Sequence, residues 1–296
     1  MSLVYYLLLF IFGLIVGSFL NVVSLRYEPG SSVFSFDVLK GRSRCPHCDK
    51  TLRWFELIPL VSFFIQRGRC RGCGHKISWQ YPVVEFLSGL IFSVVPFFLV
   101  NFYDVFSSPL DKRVFFVLAG LWILVFLVWL LISVIDIRHY LVPNELNITL
   151  GVLGVFVVLL KMRVAEFVLP FHNSFLKHYT LMFSPTQTIW VNHLLGAFFG
   201  ALFFVVLILL SKGKAMGWGD VKLALVSGLV VGWPEIALSL MLAFIFGGIL
   251  GAVLLITGNK SLKDKLPFAP FMIGSMVLTI FFGYGIIQGY LSLFGI

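Results

Sequence analysis

The sequence predicts an all-α polytopic membrane protein with about eight transmembrane helices, and three observations support this fold class. Of the 296 residues, 59% are hydrophobic and only 12% are charged, whereas about a quarter of the residues in a soluble domain carry charge. The mean hydropathy is +1.01. Apolar runs that can cross a ~30 Å hydrocarbon core recur along the chain, and helices satisfy their backbone hydrogen bonds without water.

The first apolar run is expected to be a retained anchor, because it is too long for a signal-peptide core, lacks a basic region before it and has no small-residue cleavage site after it. The sixth run is the weakest prediction, since about 13 helical residues cover only ~20 Å. The predicted spans are 3–25, 83–100, 114–135, 146–161, 189–211, 220–232, 235–257 and 268–293.

Charge along the chain predicts the orientation of these helices. Of the 22 Lys and Arg residues, ten lie between Arg26 and Lys76, seven lie in other loops on the same predicted side, and five lie in the alternate loops. Cytoplasmic loops carry the excess of Lys and Arg, so the 26–82 segment is expected in the cytoplasm and both termini outside. The net charge of +9 is mainly a signal of topology, with a further attraction to anionic membrane lipid. Nothing in it indicates nucleic acid.

Two aspartates stand at the boundaries of apolar runs. Asp136 follows the run 114–135, and Asp220 opens the run 220–232. An acid near hydrocarbon costs roughly 2.5–3.5 kcal/mol on insertion scales, so such a residue usually has a function. Two crossings separate the two acids, which places both on the same face of the membrane. Two more crossings separate Asp136 from the 26–82 segment, so that segment shares the cytoplasmic face and the geometry permits an aspartic dyad.

Each acid also has a purely structural interpretation. Asp136 can pair with the arginine two residues later or end a helix. Asp220 can cap the N-terminus of its helix, with Lys222 as a counter-charge. Gly217 and Gly219 allow the backbone to approach another group closely, and the positive end of the helix dipole favours a carboxylate at this position. Neither acid alone indicates catalysis, and it is their shared face that favours the pair.

The cytoplasmic segment carries a cysteine pattern that predicts a structural zinc site. Two C-x-x-C pairs separated by 21 residues are typical of a tetrathiolate knuckle, and basic neighbours favour thiolates. Two disulfides are the alternative, but they conflict with a reducing compartment. His47 and His75 are spare nitrogen ligands or surface residues. The predicted ligands are Cys45, Cys48, Cys70 and Cys73.

The segment Gly217-Trp218-Gly219-Asp220 resembles the GxGD signature of membrane aspartic proteases. The whole chain resembles the type IV prepilin peptidases, the bifunctional leader peptidase/N-methyltransferase family. Similar segments follow one another in order from residue 13 to about residue 274. Besides the tetracysteine block, they are 17–23 with Arg26, 58–62, 67–70, 81–85, 136–144, 216–223 and 267–271.

The resemblance implies a peptidase that cuts the short basic leader of a pilin-like protein, or pseudopilin, where its apolar helix meets the cytoplasmic face. Asp136 and Asp220 are the implied catalytic pair, and Gly217, Gly219 and Lys222 are implied supporting residues. Two neighbouring carboxylates share a proton: the ionised one activates water, and the protonated one hydrogen-bonds the carbonyl oxygen. The two roles belong to the pair and are not assigned to separate residues.

The resemblance also implies a second reaction, methylation of the new N-terminal amine with S-adenosylmethionine. The sequence has no G-x-G-x-x-G segment of a soluble nucleotide-binding fold, so the residues alone do not predict this reaction. The candidate residues toward the methyl donor are Gly17, Ser18, Asn21, Arg26 and Glu85. Their alternative roles are helix packing for Gly17 and Ser18, an interhelical hydrogen bond for Asn21 and pairing with a loop arginine for Glu85.

The expected organisation is a first helix over 1–25, a zinc-binding and methyltransferase-associated segment over 26–82, and a peptidase domain over 83–296, in the cytoplasmic membrane of a bacterium. Two other classes compete with this interpretation. One is a GxGD protease without methyl transfer, which the zinc block and the 17–23 segment disfavour. The other is a transporter or scaffold whose acids relay protons, which is disfavoured because the spans show no internal repeat.

Overall fold

The computed structural model describes residues 3–105, 111–165, 173–213, 216–258 and 265–295. These residues form helices joined by turns, with short 3-10 turns at Trp54–Glu56 and Lys177–Tyr179 and two isolated β-bridges. The helices in chain order are α1 Leu3–Arg26, α2 Phe36–Leu39, α3 Val61–Ile65, α4 Gln80–Phe102, α5 Lys112–His139, α6 Asn144–Val164, α7 Thr180–Phe183, α8 Ile189–Leu210, α9 Trp218–Val231, α10 Glu235–Ile256 and α11 Ala269–Ser292.

All eight predicted apolar helices are present, which confirms the predicted fold class. Seven of them (α1, α4, α5, α6, α8, α10 and α11) are long and apolar enough to cross a membrane. The eighth, α9, has only 14 residues and is therefore about 21 Å long. This short helix is the predicted span 220–232, and its length explains why it was the weakest of the sequence predictions.

The largest difference from the predicted spans is at the end of α5. The helix continues four residues beyond the predicted boundary, to His139, so that Asp136 lies in its last turns rather than after it. Arg138 and His139 suit this position, because cations interact favourably with the C-terminal end of the helix dipole. Tyr140 then ends the helix in the left-handed region, with φ 54°, and its amide donates to the Asp136 carbonyl at 2.8 Å.

The chain divides into two compact units, Met1–Leu99 and Val100–Ile296. In the first unit, α1 and α4 approach closely because small residues face each other. A methyl group on Gly13 would lie 2.6 Å from the carbonyl oxygen of Ser88, and one on Gly17 would lie 2.7 Å from Glu85 Cα. Edge-to-face rings such as Tyr6 with Phe97 extend the same interface. The remaining surface of α1 is largely exposed, as expected for a lipid-facing helix.

In the second unit, α9 packs mainly against α6 and α8, and the side chain of Trp129 on α5 reaches it. A methyl group on Gly196 of α8 would lie 2.5 Å from the carbonyl oxygen of Gly228 on α9, so the backbones of these two helices are in direct contact. On the other side, Trp122 and Trp129 of α5 are fully buried. Trp129 Nε1 donates a hydrogen bond of 3.1 Å to Ser227 Oγ of α9. These contacts hold α9 in a fixed position inside an apolar bundle.

Candidate active site and metal centre

The two predicted catalytic acids lie on neighbouring helices, α5 and α9, that run in opposite directions. The Trp129–Ser227 hydrogen bond joins these helices in their middle turns. Asn144 begins α6, five residues after the end of α5 at His139. Lys222, at the start of α9, donates to Asn144 Oδ1 at 2.8 Å. The C-terminus of α5 and the N-terminus of α9 are therefore at the same end of the unit.

Equal spacing from the Trp129–Ser227 contact brings the two acids to one level. Asp136 lies seven residues after Trp129, and Asp220 lies seven residues before Ser227. Seven residues are close to two helical turns, so each acid lies on the same side of its helix as the residue in the contact. Because the helices are antiparallel, both steps lead about 10 Å in the same direction. From this spacing we infer that Asp136 and Asp220 face each other.

Asp136 is held by a third helix. Its side chain is 5% exposed, and its Oδ2 accepts the amide N–H of Ala269, the first residue of α11, at 3.1 Å. The sequence alone did not predict this contact. The signal for it was the Pro-Phe-Ala-Pro segment at 267–270, which starts a helix and leaves the N–H of Ala269 without an intrahelical partner.

Asp220 lies in the first turn of α9, which is not one of the seven long spanning helices. Burial raises its pKa to about 6, an effect that the Gly217 amide opposes and the neighbouring charge of Asp136 reinforces. The Gly217 N–H donates to Asp220 Oδ2 at 3.3 Å. A contribution from the charge of Asp136 is consistent with carboxylates that lie near each other.

The supporting residues of the Gly-Trp-Gly-Asp segment have different positions from those expected. Lys222 binds Asn144 and forms no salt bridge with Asp220. A methyl group on Gly219 would make an ordinary contact of 3.5 Å with Val142 Cβ, and one on Gly217 would have no neighbour nearer than 3.9 Å. Neither glycine makes a close contact within the described residues, so the close approach expected at them stays a prediction. The space beside Gly217 is open.

The four cysteines of the first unit form a single cluster. Their sulfur atoms all lie within 4.8 Å of one another, and Cys45 Sγ and Cys73 Sγ are 3.9 Å apart. Four thiolates around a tetrahedral zinc ion at 2.3 Å have sulfur–sulfur separations of about 3.8 Å. The arrangement therefore fits zinc, as the cysteine spacing predicted.

The two halves of this cluster repeat the same backbone pattern 25 residues apart. In the first half, the amide of Asp49 donates to the Cys45 carbonyl, and in the second half the amide of Gly74 donates to the Cys70 carbonyl. The bridges Arg44–Thr51 and Arg69–Lys76 close the two knuckles in the same way. Asp49 and Gly74 both have positive φ, 51° and 71°, which lets each chain turn back over its sulfurs.

Backbone donors favour the thiolate form of Cys70. The amides of Cys73 and Gly72 lower the pKa of Cys70 to about 6, and the Gly72 N–H lies 3.3 Å from its sulfur. The rings of His47 and His75 stack on each other with centroids 3.3 Å apart, and neither belongs to the group of candidate ligands. A site with four thiolates has no open position, so zinc here supplies structure and not catalysis.

Four of the five residues predicted to act on the methyl donor lie where α1 packs on α4. Asn21 is fully buried and donates to the Tyr81 carbonyl at 3.1 Å. Glu85 is 6% exposed, accepts the Leu60 amide at 2.8 Å and is hydrogen-bonded to Ser18. Gly17 faces α4 with no room for a side chain, so its role is helix packing.

Arg26 lies apart from these four residues, at the C-terminal end of α1. Its guanidinium donates to four backbone carbonyls of the segment 38–42, at distances from 2.6 Å to 3.3 Å. This set of contacts uses most of the donors of one arginine. Arg26 therefore positions the loop that leads to the first cysteine.

Two facing carboxylates in a helical membrane scaffold are the groups that an aspartic peptidase requires. Comparison with known protein families agrees with that class. Residues 11–99 match the bacterial peptidase A24 N-terminal domain, and residues 122–252 match the type IV leader peptidase family. Both predicted acids lie inside the second match.

Full-length relatives define the family further. The chain is 30% identical to a protein of Bacillus subtilis (strain 168) over 97% of this chain and 98% of the relative. It is 30% identical to a protein of Legionella pneumophila, over 97% of this chain and 94% of the relative. It is 31% identical to a protein of Stutzerimonas stutzeri, over 95% of this chain and 92% of the relative. All three are named prepilin leader peptidase/N-methyltransferase. The chain belongs to this family, and no solved structure gave a significant match.

The cluster geometry predicts that zinc is held by sulfur alone. Replacing Cys48 or Cys73 by Ser should lower the zinc content of the purified protein from about one ion per chain to near zero, because a three-thiolate site binds far more weakly. His47→Ala should retain the metal, since that ring stacks on His75. Elemental analysis of the purified variants measures both. Equal zinc loss in His47→Ala would contradict a tetrathiolate site.

Burial of Asp220 predicts a gain in stability when its charge is removed. The folded pKa of about 6 lies above the ordinary value of 3.8, so protonated Asp220 stabilises the fold at low pH and this contribution is lost as pH rises through 6. Asp220→Asn should therefore raise the free energy of unfolding at pH 8 by up to about 3 kcal/mol. Near pH 3.5 the substitution should leave the free energy of unfolding unchanged, because Asp220 is then largely protonated in both states. Unfolding in detergent at both pH values measures the difference.

Asp111→Asn is the matched control for that experiment, because Asp111 is an exposed helix cap at the other end of α5 and Asn caps equally well. It should show no gain at pH 8. Unchanged or lower stability of Asp220→Asn at pH 8 would mean that Asp220 is an ordinary solvated cap.

Proposed function

We propose that this protein is a bifunctional prepilin leader peptidase and N-methyltransferase. The observation that carries the peptidase is the position of Asp136 and Asp220, each seven residues from the Trp129–Ser227 contact on antiparallel helices. The full-length relatives that bear this name support both activities. The dyad acts in hydrolysis, and the first unit acts in methyl transfer.

Cleavage follows from two carboxylates that share one proton. Two negative charges this close in a buried site repel each other, so one carboxyl retains its proton. The ionised member takes a proton from water as the oxygen attacks the scissile carbonyl, and the protonated member donates a hydrogen bond to the carbonyl oxygen. The proton taken from water then passes to the amide nitrogen as the C–N bond breaks and the new carboxyl and amine termini form. The Ala269 amide holds Asp136 in position, and the Gly217 amide does the same for Asp220. These fixed donors reduce the reorganisation that the reaction needs.

The substrate is the N-terminal part of a prepilin or pseudopilin, whose leader ends where an apolar helix begins. The open space beside Gly217 leaves room for a peptide backbone next to Asp220. A scissile bond at the membrane boundary would meet acids that lie at the ends of helices rather than at their centres. The substrate is thus selected by the depth of its cleavage site, and nucleic acid has no part in its recognition.

The active site and the cysteine segment face the cytoplasm of a bacterial cell in this proposal. Seventeen of the 22 Lys and Arg residues lie in the loops assigned to that side, which supports the orientation. The same basic loops favour contact with anionic lipid. The parts of the chain are a first helix over 1–25, a zinc-binding segment over 26–82 and a peptidase domain over 83–296.

Methyl transfer uses the polar residues between α1 and α4. S-Adenosylmethionine, when bound, supplies an activated methyl group on a positively charged sulfur. The carboxylate of Glu85 is more than nine-tenths buried and is held by the Leu60 amide, and a buried carboxylate suits a cationic partner. Ser18 and Asn21 are its polar neighbours on α1. We assign Glu85 to orienting the amine of the cleaved substrate. Gly17 and Arg26 keep the helices and the loop in place.

Single substitutions of the dyad test the peptidase. Asp136→Asn and Asp220→Asn should each reduce leader cleavage by at least about a thousandfold, because a neutral amide can neither activate water nor share the proton. Purified variants are incubated with a prepilin, and the cleaved product is quantified by mass spectrometry. Asp111→Asn on the same helix α5 should cleave normally. Substantial cleavage by either dyad variant would refute the proposed mechanism.

A second substitution separates methylation from cleavage. Glu85→Gln should leave the rate of leader cleavage unchanged and reduce methylation of the product at least tenfold, since the carboxylate charge is lost while the shape is kept. Mass spectrometry of the product, with and without S-adenosylmethionine, reports both steps. Glu28→Gln, an exposed acid of the same unit, is the control. Normal methylation by Glu85→Gln would remove Glu85 from the methyl-transfer site.

A further inference from the structure

The second unit contains a polar cleft at the end opposite to the dyad. Its enclosed volume is about 40 Å³, which is room for a few water molecules or one small ion. Lys161, near the end of α6, lies on its wall. Seventeen residues of helix separate Lys161 from Asn144 at the dyad end, a distance of about 25 Å. The cleft is therefore remote from the proposed peptidase reaction.

Three ionisable side chains at the base of this cleft are at least 97% buried: Lys161, His193 and Glu235. They come from three different helices, α6, α8 and α10. Burying such groups costs several kcal/mol unless each is paired and hydrogen-bonded. The contacts of each group therefore show whether the cluster is complete in itself.

His193 and Glu235 are well satisfied. His193 Nδ1 lies 2.7 Å from the Leu229 carbonyl, which can only accept, so the proton is on Nδ1 and Nε2 is an acceptor. Glu235 Oε1 accepts the Ser174 hydroxyl at 2.6 Å and the Phe175 amide at 3.0 Å. These contacts fix both side chains in position.

Lys161 is not satisfied by its neighbours among the described residues. Its ammonium donates one hydrogen bond, of 3.4 Å, to His193 Nε2, and lies 5.1 Å from the centre of the Phe175 ring. Glu235 acts on it only through a longer-range electrostatic attraction, since the two form no salt bridge within 4.0 Å. An ammonium has three donors, so capacity for an acceptor remains in the cleft.

A second lysine and neutral donors complete the wall of the cleft. Lys177 lies 4.8 Å from the centre of the Tyr284 ring and lines the cleft with the side-chain amides of Gln187 and Asn192. Among the described residues that line the cleft, two lysines face one carboxylate whose oxygen is already engaged, so the sum of their charges is positive. Amide and ammonium donors around a cavity suit an oxyanion.

We propose that this cleft binds a phosphate group, with Lys161 and Lys177 as its charged ligands. The phosphate belongs either to the head group of an anionic phospholipid or to a free phosphate ion, and both offer the same oxygens. Binding would neutralise the excess charge and use the remaining donors of the buried Lys161. This site goes beyond the proposed enzyme activities and takes no part in them.

The test measures binding of two probes to the full-length protein. Native mass spectrometry after reconstitution with phosphatidylglycerol or phosphatidylcholine reports the lipid, and thermal unfolding in detergent with increasing inorganic phosphate reports the free ion. We expect Lys161→Gln to weaken binding at least tenfold and Lys177→Gln about threefold. Lys112→Gln, an exposed lysine at the same end of the unit, should bind normally. Binding of phosphatidylglycerol alone identifies a lipid site, and binding of inorganic phosphate identifies a free-ion site.

Lys177→Glu keeps the test decisive if Lys161→Gln does not fold, because the exposed side chain can be reversed in charge without disturbing the core. It should abolish binding of whichever probe the unaltered protein takes. Absence of binding for both probes, or binding that Lys177→Glu leaves unchanged, would overturn the proposal. Asp220→Asn should bind like the unaltered protein, so failure of the peptidase mechanism and failure of this site are distinguished.

Discussion

The hydrogen bond between Trp129 and Ser227 is the constraint on which the proposed catalytic geometry depends. It joins two antiparallel helices inside an apolar bundle, where few other polar groups compete for either partner. From that contact the acids follow by helical repeat alone, seven residues along α5 and seven back along α9. The direct contact of Gly196 with Gly228 holds the opposite side of α9 against α8. A displaced α9 would separate the carboxylates without altering either one.

Much of this organisation could be predicted from the sequence, because hydropathy and charge act over whole helices. The eight apolar runs, the shared face of the two acids and the cysteine pairs all follow from such patterns. The contacts that position the acids could not be predicted. The Ala269 amide reaches Asp136 from 133 residues away, and Trp129 looks like any apolar helix residue until Ser227 is opposite it.

Other sequence interpretations depended on single residues, and there local physics decided the outcome. The glycines of the Gly-Trp-Gly-Asp segment make no close contact with another described part of the chain, and the space beside Gly217 is open. Lys222 was considered as a counter-charge to Asp220, but it binds Asn144. In contrast, Gly17 does have the tight packing that was considered for it as an alternative. Residue type alone does not distinguish a glycine that packs from one that leaves room for a ligand.

The central claim is that the two carboxylates face each other, and oxidative cross-linking tests it most directly. Asp136→Cys and Asp220→Cys are combined in the zinc-loaded protein, whose own cysteines are protected by the metal, and the linked peptides are identified by mass spectrometry. We expect rapid disulfide formation between these two positions and none in an Asp111→Cys, Asp220→Cys pair, which spans the length of α5. Absence of the first cross-link, or equal formation of both, would show that the two carboxylates do not face each other.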